Sequence, residues 1–107
     1  MITAEFLSKD NKLIGFKVSG HANFSEFGLD IVCASVSSAV QLVCNTITEC
    51  FKSEAEVSVD ETDGICLKLV NPSDEVSSIL LIDGLKLHLE TLLENFPKNI
   101  KIKITEV

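Results

Sequence analysis

Apolar and polar positions alternate at period two over ITAEFLS, residues 2–8, and again over LIGFKVS, residues 13–19, around the turn KDNK with its Asp-Asn pair. That pattern predicts a β-hairpin whose Ile14, Phe16 and Val18 face a core. From Asp30 to about residue 53 the period lengthens. Val32, Val36, Val40, Val43, Ile47 and Phe51 recur every three or four positions, the stripe of an amphipathic helix. AEVSVD and GICLKLV then alternate around ETDG, whose Asp-Gly favours a tight turn, and predict a second hairpin. A second helix is expected over about 73–96, capped by Ser73, led by Asp74 and Glu75, and stopped before Pro97, with Gly84 its weak point. NIKIKITEV closes as a strand, with Ile100, Ile102 and Ile104 on one face and Lys101, Lys103 and Thr105 on the other. The order is ββαββαβ. It predicts one α+β domain over residues 1–107, a largely antiparallel sheet with two helices packed on one face.

Length agrees with a single core, since 107 residues at 46% apolar suffice for one and not two. Charge narrows the partners. Lys+Arg 9 against Asp+Glu 16 leaves a net charge of -7, which argues against direct nucleic-acid binding and suits a basic partner. The opening MITAEFLSKDNK has no basic stretch ahead of an apolar one, and no run is read as a membrane span, so the expected place is the cytoplasm. There, the cysteines at 33, 44, 50 and 66 are expected as free thiols. Cys33 and Cys44 are eleven residues apart, about 16 Å along a helix, too far for one metal ion. No Cys-x-x-Cys pair exists, so neither a metal nor a cofactor is expected.

The stretch SGHANFSEFGLDIVCASVSS, residues 19–38, holds the candidate chemistry. If Asp30 caps the helix, Cys33 lies in its first turn, where free N–H groups and the macrodipole favour a thiolate. Taken alone, Cys33 equally fits a small hydrophobe on the inner stripe. His21 follows Gly20 at a strand end and has eleven residues between it and Cys33, enough to bring imidazole and thiol together. His88, on the second helix, is assigned to the core margin or the surface. Ser37 is one turn beyond Cys33 on the same face, either a polar group of the site or a hydroxyl bonded to the carbonyl four residues back. Asp30 is a cap, or else orients His21. The loop from Gly20 through Ala22, Phe24 and Phe27 to Gly28 has glycines at both ends and two aromatics, which reads as a lid over a ligand or as aromatics tucked at the core edge. Three functions compete on these residues: a thiol hydrolase, an acidic module that holds a basic protein, and a thiol redox or metal protein, the last poorly served by Cys44, Cys50 and Cys66.

GHA, followed by GLDIVCASVS with Gly28, Asp30, Cys33, Ala34 and Ser37 in register, resembles the ribosomal-processing cysteine protease family, Prp. The similarity in length and element order covers essentially the whole chain, and Ser35 departs from the family's usual alanine. The resemblance implies a bacterial endopeptidase that removes a short N-terminal extension from large-subunit ribosomal protein number twenty-seven. It implies His21 and Cys33 as a catalytic dyad, a homodimer, and substrates with consecutive phenylalanines, a small residue and then a lysine-rich body.

Overall fold

The computed structural model describes residues 1–20, 27–60 and 64–107, the side chains of residues 27–30 excepted. Strands β1 (Ile2–Lys9) and β2 (Lys12–Ser19) form the first hairpin. Asp10 and Asn11 both take positive φ, 53° and 63°, the backbone of the tight turn that matches strand twist. Helix α1 (Phe27–Asn45) runs into one π-helical turn, Thr46–Cys50. Strands β3 (Ala55–Asp60) and β4 (Gly64–Leu69) form the second hairpin, and its turn residues 61–63 lie outside the described residues. A 3-10 turn, Pro72–Asp74, precedes α2 (Val76–Asn95), and β5 (Ile100–Glu106) ends the chain. The sheet order is β3-β4-β2-β1-β5, antiparallel throughout except for the parallel pair β1–β5.

Register explains the core. Ile104, Phe6, Phe16, Leu67 and Val57 form one row across five strands. Phe6, Phe16 and Leu67 at its centre are fully buried, whereas Ile104 and Val57 at its ends are 54% and 44% exposed. The two helices therefore cover the three inner strands and the start of β5, and leave the outer parts of both edge strands open. Ile104 faces the expected side but lies beyond the helices' reach. Val32, Val36, Val40, Val43 and Ile47 of α1 join Ile79, Ile82, Leu85 and Leu89 of α2 in the same cluster. By length and mean hydropathy, 1.5, the segment Ile31–Cys50 could span a bilayer, contrary to the expectation that no run would. Its apolar stripe instead forms this core.

Three boundaries differ from expectation. Phe51 is 44% exposed, because the π turn widens the helix by one residue and rotates Phe51 off the stripe. Lys52 then ends the helix in a left-handed conformation at φ 54°. Ser73 does not cap α2. Pro72 starts the tight turn instead, and Ser53 Oγ, 2.6 Å from Glu75 Oε2 and 2.5 Å from the buried Ser78 Oγ, ties the exit of α1 to the first turn of α2. At the other end, α1 begins at Phe27 and not after Asp30. Glycine weakens a helix by about 1 kcal/mol without ending it, so Gly28 does not stop the helix from extending upstream.

Candidate active site

The earlier start of α1 moves the chemistry. Phe27 and Gly28, expected in the loop, are the first two residues of α1, and Asp30 is its fourth, so it is not the N-cap. Cys33 is the seventh. The expectation that Cys33 occupies the first turn is therefore corrected: it closes the second, where the macrodipole has largely faded. The helix terminus therefore does not by itself favour a thiolate at this position. His21, Ala22 and Phe24 lie outside the described residues.

What precedes them is well defined. Gly20 leaves β2 at φ 84°, and a β-carbon there would collide with the Met1 carbonyl. Gly64, at φ 80°, is pressed against the Val18 carbonyl and Ser19 from the other side. Only glycine meets both demands at either place. Together they clasp the end of β2 at Gly20.

On α1, Cys33 and Ser37 are half-buried one turn apart, on the flank next to the core stripe. The bonding expected as one option for Ser37 is not found. Thr46 and Thr48 at the end of this helix bond the carbonyls four residues back, at 2.7 and 3.0 Å, whereas among the described residues Ser37 Oγ does not. Cys44 lies three turns down the same flank and is 7% exposed. Burial raises its thiol pKa to about 11, and Cys66 on β4 adds a push in the same direction. Because α2 lies against the opposite flank and over β2 and β5, this flank of α1 faces the β4–β3 side of the sheet.

The opposite flank meets α2. A groove of about 690 Å³ lies there, between Ala34, Ser38 and Leu42 on one helix and Gly84 and His88 on the other. Cys33 does not line it. His88 is exposed at this groove, in keeping with its assignment to the margin. None of the four cysteines is in a disulfide. Sequence reasoning missed this groove, whose signal was the small-residue run Ala34, Ser35, Ser38 and Ala39 facing Gly84.

Comparison with known proteins places this geometry. The ribosomal processing cysteine protease Prp of Bacillus subtilis is 29% identical over 99 residues, covering 89% of this chain and 88% of its own. A solved structure, SMU.848 from Streptococcus mutans, superposes with a TM-score of 0.84 at 32% identity, covering 100% of this chain and 96% of that one. The essential ribosomal processing protease Prp of Staphylococcus aureus shares the fold, with TM-scores of 0.88 and 0.85 for its complexes with a substrate peptide and a covalently linked product peptide. Their identities are 23% and 24%, and each pair covers 98% of this chain and 100% of the other. The family model described as cysteine protease Prp matches residues 1–101. The chain thus belongs to the cysteine protease Prp family and is a cysteine-type protease.

Proposed function

We propose that this chain is the endopeptidase that trims the N-terminal extension of large-subunit ribosomal protein number twenty-seven, with Cys33 as nucleophile and His21 as its base. The reading is carried by one observation: within a protease of this family, Cys33 sits half-buried beside the core on the flank of α1 away from the α2 groove, downstream of a strand exit fixed by Gly20. His21 takes the thiol proton, and Cys33 Sγ attacks the scissile carbonyl. His21 returns the proton to the departing amine, so the mature body leaves and the extension stays as a thioester. Water, deprotonated by the same imidazole, hydrolyses it. The free N–H groups of α1 belong to residues 27–30, about one turn above Cys33, and are available to a developing oxyanion.

Asp30 orients His21 in this scheme, Ser37 bonds the substrate backbone or the imidazole, and Phe24 with Phe27 contacts the aromatic residues before the cut. The acidic chain attracts the lysine-rich body in the cytoplasm, where the substrate is made. A homodimer is supported by the outward stripe Val76, Leu80 and Leu87 of α2, each more than 60% exposed. The test is to incubate the protein with full-length substrate and read intact masses. Loss of one discrete N-terminal segment is expected; an unchanged substrate mass contradicts the proposal.

A further inference from the structure

Edge strands carry a row of unpaired backbone donors and acceptors, which folded proteins guard with lysine, proline, bulges or a covering element. β5 follows that rule, with Lys101 and Lys103 on its length. β3 does not. AEVSVD contains neither lysine nor proline, and all of it except the half-buried Ala55 is exposed.

The hydrogen-bond phase decides which amides of β3 are free. Val70 N–H donates to the Glu54 carbonyl at 3.1 Å, so Glu54 turns its polar groups toward β4. Alternation gives Glu56, Ser58 and Asp60 the same direction, and it turns the N–H and C=O of Ala55, Val57 and Val59 outward. The same residues bear the apolar side chains. Val57 and Val59, 44% and 78% exposed, stand on the helix side of the sheet, opposite Leu67 and Ile65. A free main-chain edge and an apolar shelf thus coincide, on the side of the sheet that the Cys33–Ser37 flank of α1 faces. The shelf's far end adjoins Gly64, which abuts Val18 and Ser19 where the chain leaves β2 for His21.

Charge selects the occupant. Residues 53–63, SEAEVSVDETD, hold five acidic residues and no basic one. A second copy pairing β3 with β3 would set Glu56 and Asp60 against carboxylates, and like charges directly opposite are destabilising. A lysine-bearing peptide meets the reverse. We infer that β3 takes the peptide substrate as an added strand: its backbone bonds Ala55, Val57 and Val59, an apolar side chain rests on the valine shelf, and its lysines face Glu54, Glu56 and Asp60. The inference rests on the proteolytic reading above and names the surface that gives it specificity.

The test uses the full chain and a synthetic peptide bearing a phenylalanine pair, an alanine and a run of lysines. Bound to the Cys33→Ala variant, this peptide slows amide exchange at Val57 and Val59 and leaves β5 unchanged. Val57→Pro removes an outward N–H while sparing the ladder to β4, and raises KM about tenfold, the size of a lost main-chain hydrogen bond with its contact. Val59→Lys, at an exposed site, raises KM by a similar factor through repulsion. Iodoacetamide labels Cys33 at the wild-type rate in both variants. If both variants cleave the peptide with wild-type KM, or if the bound peptide protects no β3 amide, the inference is overturned and the protease reading stands. If the wild-type chain protects β3 amides yet cleaves nothing, the inference stands and the protease reading falls.

Discussion

Cys33 and Cys44 share one flank of one helix, and what surrounds each differs in the property that governs thiol chemistry. Cys44, 7% exposed, is enclosed by the core, which holds its thiol pKa up at about 11 and keeps it protonated. Cys33 is half-buried at the margin of the same core, one turn before the half-buried Ser37. Residue type and helix face are constant across the pair. Depth is what varies between them, and in the proposed dyad the partnership of Cys33 with His21 is the second difference, so the proposal makes a nucleophilic cysteine by position along the helix rather than by the helix itself. The corrected start of α1 sharpens this: with the macrodipole weak at residue 33, the proposed mechanism rests on His21.

The strongest way to break the comparison is to exchange the roles. Cys33→Ala is expected to lower turnover by about 10³-fold or more, with Cys44→Ala near wild type, both read as kcat on the peptide substrate. Equal losses would mean that Cys44 takes part. His21→Ala should cost about 10²–10⁴-fold, since the thiol loses its proton carrier. Next in size is alkylation in the folded protein at neutral pH. Cys33 should react at least about tenfold faster than Cys44, whose burial holds its thiol protonated. Peptide mapping after timed iodoacetamide labelling reads both rates.

Smaller effects separate structure from chemistry. Gly20→Ala places a β-carbon against the Met1 carbonyl in a left-handed backbone, and should destabilise the fold by about 1–3 kcal/mol as judged by urea midpoint. Cys44 supplies the pH prediction. Its folded pKa is raised from 9.0 to about 11, so the folded state holds the thiol proton more tightly than the unfolded chain does. The associated stability is fully present below pH 9.0 and declines as pH rises through about 11. Cys44→Ala should flatten that part of the stability profile, and an unchanged slope would mean the thiol is not buried as described.

Much of the fold was legible because its periods are clean. The alternation of β1 and β2, the Val32–Ile47 stripe and the Pro97 stop all correspond to observed elements. Strand order was not, since pairing β5 beside β1 depends on long-range register that no local pattern encodes. Boundaries failed where a tertiary tie overrode local propensity: the Ser53–Ser78–Glu75 contact sets the start of α2, and the π turn removes Phe51 from the stripe. At the site, Cys33 and Ser37 could be placed on one flank from spacing alone. Their depth could not be read that way, because it depends on where α2 lies. His21 was named from its place after a strand end, Phe24 as an aromatic in a glycine-flanked loop and Ala22 from the motif, and the structure adds the reason for Gly20 before them.

The account stands most directly on the identity of the acylated residue. Reaction with the peptide substrate, quenched in acid within the first turnovers and mapped by mass spectrometry, should show the N-terminal extension joined as a thioester to the fragment containing Cys33 and to no other cysteine. Cleavage that proceeds with no adduct at Cys33, or with the adduct on Cys44, Cys50 or Cys66, would contradict it.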